Sequence, residues 1–135
     1  MAILQALVSR LLSEEGVLSV SVTGFCYGGT FSYALALAEP RLASAVPFYG
    51  HCTASDEELA ALEVAVLAFY GDQDAPLMEQ VPRIREATAG KDVELVVYPG
   101  AGHAFFNDSN DGTYDEAAAT DAWPRALAFL RAHAI

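Results

Sequence analysis

The stretch Gly24-Phe25-Cys26-Tyr27-Gly28-Gly29 decides how this sequence folds. It follows alternating apolar residues at 17–23 and precedes a helical pattern at 30–37, which predicts a sharp turn between a β-strand and an α-helix. Glycines at 24 and 28 leave room for the backbone of such a turn, so we expect Cys26 to project from it as a nucleophile. The N-terminus of the following helix favours a thiolate there. The alternative interpretation is a small buried cysteine.

Composition limits the kind of protein this is. The 135 residues are 53% hydrophobic, which predicts one packed domain spanning 1–135. A formal charge of -11, without a cluster of basic residues, argues against nucleic acid or an anionic membrane as partner and favours a small molecule. Two cysteines without C-x-x-C spacing predict neither a disulfide framework nor a structural zinc site. Without a signal peptide or an apolar stretch of about 18 residues, we expect a soluble, cytoplasmic protein.

Strands and helices alternate along the chain. The predicted strands cover 17–23, 45–49, 64–70 and 93–98. The predicted helices cover 3–15, 30–37, a short capped segment from Ser55, the residues from Pro76 to Gly90, and a last segment that a capping box opens at Thr113 and Pro124 kinks or splits. This alternation predicts an α/β three-layer sandwich, in which helices flank a short parallel sheet of about four strands.

Polar side chains follow three of the predicted strands. Cys26 follows the first strand, Asp72 and Asp74 follow the third, and His103 follows the fourth. Ligands of such sheets bind at the carboxyl ends of the strands, so we expect a nucleophile, an acid and a histidine to meet there, as in the α/β-hydrolases. His103 could also be an ordinary loop histidine, and both aspartates could be solvated turn residues. The turn alone does not choose between the two aspartates.

Several motifs together resemble the dienelactone hydrolase family over almost the whole chain. They are G-F-C-Y-G-G at 24–29, Y-G-D-Q-D at 70–74, Y-P-G-A-G-H-A-F-F-N at 98–107 and the residues 114–123 behind them. The resemblance implies a truncated α/β-hydrolase fold and hydrolysis of esters or lactones through a Cys-His-Asp triad. It implies Cys26 as nucleophile and His103 as general base and acid. The family pattern G-x-x-D selects Asp74 as the acid.

The sequence departs from the family in two respects. Family members are longer, and this chain is similar to their last four strands only. The backbone N–H of Tyr27 can serve an oxyanion hole, but the second donor would come from the missing half, and one lost donor typically costs about 10²–10³ in kcat. The alternative function is therefore a catalytically impaired binding or partner-dependent module. Asn107 stands where lactone-degrading members have an arginine, which weakens the expectation of dienelactone as substrate.

The expected chemistry needs neither cofactor nor metal. A thiolate is a better leaving group than an alkoxide, which favours activated esters and lactones as substrates. Tyr27, Phe105 and Phe106 are the expected walls of the substrate site, although core packing explains each phenylalanine equally well. The acidic loop at 107–115 lacks the spacing of an EF-hand, so we expect no metal there.

The predicted first strand raises a question of assembly. Nothing else in the chain is left to pair with the far edge of residues 17–23, and no Lys or Pro protects that edge. Leu7 and Leu11 of the first helix would also lack part of their cover. We therefore expect a homodimer in which these edges or the neighbouring helices meet. The alternative is that the first helix folds over the edge within one chain.

Overall fold

A four-stranded parallel sheet forms the centre of the protein. The computed structural model describes residues 1–134. The strands, in the spatial order β1-β2-β3-β4, are β1 Val22–Phe25, β2 Ser44–Phe48, β3 Ala65–Gly71 and β4 Val93–Tyr98. The helices are α1 Ala2–Leu12, α2 Tyr27–Ala38, α3 Asp56–Ala60, α4 Ala75–Met78, α5 Val81–Ala87 and α6 Glu116–His133. The predicted α/β architecture is confirmed.

Helices cover both faces of the sheet. Every residue of β2 and β3 is buried, as expected for central parallel strands, whose side chains point alternately to the two faces. On one face, the Tyr70 hydroxyl of β3 lies 2.6 Å from the Tyr33 hydroxyl of α2. On the other face, Phe69 stacks on Phe48 of β2 at a ring distance of 4.8 Å, and α6 packs against the same two strands. The core is therefore divided into two layers by β2 and β3.

The first strand is shorter than its alternating sequence predicts. The prediction placed it at residues 17–23, whereas β1 covers Val22–Phe25. The reason is where its neighbour begins. β2 starts at Ser44, and Val22 already pairs with the next residue, Ala45. Residues before 22 thus have no strand to pair with, apart from the Val20 carbonyl, which accepts the Ala43 N–H at 2.8 Å.

Three of the helix predictions are also wrong in detail. The segment from Pro76 to Gly90 forms two helices, α4 and α5, because Pro82 at the start of α5 restricts the residue before it and donates no hydrogen bond. Asp115, and not Thr113, caps α6 by accepting the Ala118 N–H at 2.9 Å. Pro124 does not split α6, which runs unbroken from Glu116 to His133.

The remaining boundaries lie close to their predictions. The helix predicted at 3–15 ends at Leu12, and the helix predicted at 30–37 begins at Tyr27, directly after Cys26. Ser55 caps α3 in a capping box with Glu58, as its sequence predicts. Over the part of the chain that the structure describes, no helix is both long and apolar enough to span a bilayer.

Candidate active site

Cys26 lies at the tip of a strained turn between β1 and α2. Its backbone angles are φ 54° and ψ −115°, a region that residues other than glycine rarely adopt. The Cys26 N–H donates to the Phe48 carbonyl at 3.1 Å, so the adjacent strand β2 holds the turn in place. Because α2 begins at the next residue, the thiol projects at the carboxyl end of the sheet, where ligands of parallel sheets bind.

Two glycines allow the strand and the helix to meet at this turn. A Cβ atom on Gly24 would overlap the backbone carbonyl of Gly28, and one on Gly29 would lie 2.5 Å from the Phe48 carbonyl oxygen. The prediction that Gly28 needs to be glycine is wrong, since a Cβ there meets no atom within 4 Å. The close backbone contacts of the elbow thus fall on Gly24 and Gly29.

The histidine and one of the two aspartates meet after β3 and β4. The Nδ1 atom of His103 lies 2.6 Å from Oδ2 of Asp74, whose carboxylate is 7% exposed. Asp72 points elsewhere, and its Oδ1 accepts the Gly100 N–H and the Gln73 side-chain amide, each at 2.8 Å. The structure therefore pairs His103 with Asp74, while Asp72 fastens the β3 loop to the β4 loop.

This contact determines how the imidazole can act. An aspartate carboxylate only accepts hydrogen bonds, so Nδ1 of His103 carries a proton and Nε2 of the neutral ring retains a free lone pair. The Gln73 N–H donates to the Ala101 carbonyl at 2.9 Å, which further joins the two loops that present the pair. About half of the His103 side chain is exposed, so its outer edge faces the cleft beside Cys26.

The surroundings of Cys26 favour the thiol, contrary to the expectation from the helix N-terminus. Burial raises the pKa of Cys26, and the negative charge of Asp74 raises it further. Within residues 1–134, no hydrogen bond joins the sulfur to His103. Both effects favour the thiol over the thiolate, in the opposite direction to the partial positive charge at the N-terminus of α2.

Two clefts open on either side of Cys26. The first has a volume of about 440 Å³ and is lined by Cys26, Tyr27, Thr30, Tyr49, His51, Thr53, Leu77 and His103. The second has a volume of about 370 Å³ and is lined by Phe25, Cys26, Tyr49, Ala104, Phe106, Asn107 and Asp108. Cys26 and Tyr49 border both clefts, and His103 borders only the first. The sulfur is therefore accessible from both clefts.

The three predicted wall residues have different positions. Tyr27 is 82% exposed and lines the first cleft, and Phe106 lines the second, where its ring lies 5.4 Å from that of Phe25. Phe105 as a wall residue is wrong. Its side chain is fully buried, with ring distances of 5.3 Å to Tyr49 and 5.4 Å to Tyr98, because the two neighbouring phenylalanines point in opposite directions.

The backbone N–H of Tyr27, the residue next to Cys26, is the donor that the sequence predicts for an oxyanion. Tyr27 is the first residue of α2, and the first N–H groups of a helix have no acceptor within it. In the described part of the chain no group of three or more His, Cys, Asp and Glu side chains is arranged to hold a metal ion.

Sequence reasoning missed several residues of the site. Tyr49, His51 and Thr53 all line the first cleft and all follow β2. The signal that could have found them is the rule already applied to the other strands, since β2 is parallel and its carboxyl end lies at the same edge of the sheet. Burial raises the pKa of the Tyr49 phenol, so this residue keeps its proton between the two clefts.

Comparison with known proteins places the chain in a family. A protein provisionally named carboxymethylenebutenolidase, from Saccharolobus solfataricus, is 38% identical over 122 residues, which are 89% of this chain and 47% of that protein. A crystal structure from Klebsiella pneumoniae, provisionally described as a dienelactone hydrolase, is 32% identical with a TM-score of 0.85 and covers 96% of this chain and 59% of that one. A dienelactone hydrolase structure from Anabaena variabilis, at 19% identity and a TM-score of 0.74, covers 98% of this chain and 58% of that one and shows the same fold.

The chain thus spans about half the length of the curated relatives it matches. The model of the dienelactone hydrolase family matches residues 1–134, which include the elbow, both loops of the histidine–aspartate pair and all four strands. This chain belongs to the dienelactone hydrolase family.

Proposed function

We propose that this chain is a cysteine hydrolase that cleaves activated esters or lactones through Cys26, His103 and Asp74. The observation that supports it most is the 2.6 Å contact between Asp74 and His103 on the wall of the cleft that also contains Cys26. A nucleophile, a base and a carboxylate that orients the base are the parts of an acyl-transfer site. The names of the relatives support the same reaction class, and the chain matches about half of the length of the curated ones.

In the first half of the reaction His103 serves as base and then as acid. Nε2 takes the proton of the Cys26 thiol as the sulfur attacks the substrate carbonyl carbon, and the carbonyl electrons move to the oxygen, which faces the Tyr27 N–H. When the tetrahedral intermediate collapses, the bond to the alcohol oxygen breaks and Nε2 returns the proton to that oxygen. The product is a thioester on Cys26, and Asp74 stabilises the imidazolium in between.

In the second half a water molecule takes the place of the departed alcohol. Nε2 removes a proton from the water as its oxygen attacks the thioester carbonyl, and the second tetrahedral intermediate collapses with loss of the thiolate. The thiolate recovers a proton from the imidazolium, and the carboxylic acid leaves. Oxidation states do not change in either half, so the reaction needs no external electron donor or acceptor.

The raised pKa of Cys26 fits this scheme, and the chemistry of a sulfur nucleophile limits the class of substrates. A thiol that is neutral at rest attacks only when His103 takes its proton, so attack is coupled to the presence of substrate. A thiolate leaves a tetrahedral intermediate more readily than an alkoxide does. The forward reaction therefore requires a stabilised leaving group, such as an enol or a phenol, and alkyl esters and amides are poor substrates.

Turnover of p-nitrophenyl acetate tests the proposal. We expect steady hydrolysis by the wild type and a loss of at least about 10³-fold in kcat/KM in the Cys26→Ala and His103→Asn variants. Cys52→Ala is the matched control, because Cys52 is the second free cysteine and lies buried away from both clefts. Equal rates for wild type and Cys26→Ala would remove the sulfur from the mechanism.

A second function, a binding or partner-dependent module without turnover, is supported by the half-length match to the relatives and by the single oxyanion donor at Tyr27. The same assay separates the two functions. A burst of about one p-nitrophenolate per Cys26 followed by no further release indicates acylation without turnover. Sustained release beyond one equivalent excludes the module.

A further inference from the structure

Of the three histidines in the sequence, His51 is the one that the proposed reaction and the fold leave unused. His103 contacts Asp74, and His133 contacts Asp92 and the Phe129 carbonyl. Among residues 1–134, by contrast, neither ring nitrogen of His51 has a hydrogen-bond partner, although its side chain is exposed on the wall of the first cleft. A free imidazole beside a nucleophile is available to a bound molecule as donor or acceptor.

The backbone that carries His51 is rigidly held. The buried side-chain amide of Gln80 contacts the residues on both sides of it, because Oε1 accepts the Cys52 N–H at 2.8 Å and Nε2 donates to the Gly50 carbonyl at 3.0 Å. The His51 N–H itself donates to Oγ1 of Thr30 in the first turn of α2, at 2.9 Å. These three bonds fix the backbone at residue 51 relative to the elbow and leave both ring nitrogens unused.

The position of His103 decides which part of a substrate His51 meets. In the proposed reaction His103 delivers a proton to the departing oxygen, so this oxygen lies between Cys26 and His103. Both residues line the first cleft, whereas the second cleft contains Cys26 without His103. The leaving group therefore occupies the first cleft with His51, and the acyl group occupies the second, next to the stacked rings of Phe25 and Phe106.

We propose that His51 is a specificity-determining residue that hydrogen-bonds an oxygen acceptor on the leaving group. This inference rests on the proposed ester hydrolysis and adds the chemical class of the leaving group to it. No Lys or Arg lines either cleft within the described chain. In the first cleft His51 is the side chain with two unpaired ring nitrogens, and the hydroxyl residues Tyr27, Thr30, Tyr49 and Thr53 and the apolar Leu77 line the cleft beside it. The fitting leaving group is a flat enol or phenol that carries a carbonyl or another oxygen acceptor.

A pair of esters with leaving groups of similar shape tests this inference. 3-Acetylphenyl acetate carries the acceptor, and 3-isopropylphenyl acetate replaces it with an apolar group. The rate constant for acylation of Cys26 is measured for each ester from phenol release, and the ratio of the two constants is compared between variants, so that the intrinsic reactivities of the esters cancel. We expect His51→Ala to lower this ratio about three- to tenfold, the value of one hydrogen bond.

Two further variants separate recognition from a general effect on the site. His51→Gln retains an N–H donor, and we expect it to keep a ratio nearer to that of the wild type than His51→Ala does. Asn107→Ala changes the second cleft, and we expect the ratio to stay at the wild-type value even if both rates change. A structural role of His51 would lower both rates by the same factor and leave the ratio unaltered.

The outcomes distinguish this inference from the proposed function. Acylation that depends on Cys26, combined with an unaltered ratio in His51→Ala, overturns the role of His51 and leaves the hydrolase in place. Acylation that does not depend on Cys26 overturns both. A ratio that falls in His51→Ala and is retained in Asn107→Ala supports the assignment of the first cleft to the leaving group.

Discussion

The two sides of the site differ in how well the rest of the protein supports them. Asp74 and His103 follow β3 and β4, and β3 is buried along its whole length between two neighbours. Cys26 follows β1, which has only four residues and, like β4 at the opposite edge of the sheet, has one neighbouring strand within the described chain. Beside it, Tyr27 is 82% exposed and Phe31 is 50% exposed.

The two sides also differ in how their surfaces are covered within the described chain. The acid–histidine side satisfies its polar groups through contacts within the chain, such as the bond from Asp72 to the Gly100 N–H. The nucleophile side instead has an apolar cleft of about 470 Å³ between α1, β1 and α2, with Ile3 and Phe31 on its walls. Exposed apolar clefts of this kind are typical of interaction sites, and we expect a partner to cover this one.

Replacing Gly24 should damage the nucleophile side most. In Gly24→Ala the new Cβ overlaps the Gly28 carbonyl, and backbone cannot move aside as a flexible side chain does, so we expect a loss of about 3 kcal/mol or more in the free energy of unfolding. Gly28→Ala is the matched control, since its Cβ meets nothing and alanine favours the helix by up to about 1 kcal/mol. Urea unfolding measures both variants, and equal stabilities would contradict the assigned contact.

The second prediction is the homodimer expected from the sequence. Its interface should include the edge of Val22–Phe25 and the adjoining apolar cleft. The alternative is that α1 covers this edge, although Ile3 of α1 is 84% exposed. We expect light scattering at micromolar protein to give the mass of a dimer, and Phe31→Glu to shift it to a monomer. Trp123→Glu, at a similarly exposed aromatic on α6, should leave the dimer intact. A monomeric wild type would end this proposal.

Sequence patterns could predict the strands of the acid–histidine side better than the first strand, on the nucleophile side. The continuous apolar run of residues 64–70 corresponds closely to β3, since a strand buried on both faces has no polar positions. The alternation at residues 17–23 also suits a strand, but β1 begins only where its partner β2 begins. This pairing depends on the tertiary structure and not on the local sequence. The sequence likewise identified Cys26 and His103 as candidates from their places after strands, because parallel strands end at one edge.

Side-chain direction and charge environment could not be predicted from the sequence. Residues 105 and 106 are both phenylalanine, and only the packed structure shows that Phe105 lies in the core while Phe106 borders a cleft. The turn at 71–74 offered two aspartates, and the direction of each carboxylate distinguishes them. The pKa of Cys26 is raised by burial and by Asp74, a residue 48 positions away in sequence, and no local pattern contains that charge.

The third prediction concerns the effect of Asp74 on the pKa of Cys26. Because Asp74 contributes to the raised pKa of Cys26, we expect Asp74→Asn to move the pH profile of iodoacetamide alkylation to lower pH, and thus to accelerate alkylation below the midpoint. Burial, the larger cause, remains, so the pKa stays above its ordinary value. Asp72→Asn is the control in the same loop and should leave the profile unchanged. Mass spectrometry distinguishes Cys26 from buried Cys52, and a profile unmoved by Asp74→Asn would contradict the coupling.

The smallest effect is expected at the far end of α6, on the supported side. His133 contacts the Phe129 carbonyl through Nδ1 at 2.8 Å and the Asp92 carboxylate through Nε2 at 2.9 Å. Both partners accept hydrogen bonds, so only the protonated ring can donate to both of them. The pKa of His133 is raised, first by Asp92 and then by the Phe129 carbonyl. A raised pKa in the folded state stabilises the fold below the unfolded value of about 6.5, and this contribution is lost as pH rises through the folded value.

We therefore expect His133→Gln to lower the free energy of unfolding at pH 5.5 by less than about 1 kcal/mol, since Asp92 is largely exposed and solvent screens the pair. At pH 9 the difference from wild type should shrink. Asp92→Asn removes the negative charge that faces His133 and leaves the ring in place, so it should show the same pH dependence. Urea unfolding at both pH values measures the two variants. If His133→Gln lowered the free energy of unfolding equally at both pH values, the stabilisation would instead come from packing of the His133 ring on Phe129, whose ring centroid lies 4.2 Å away.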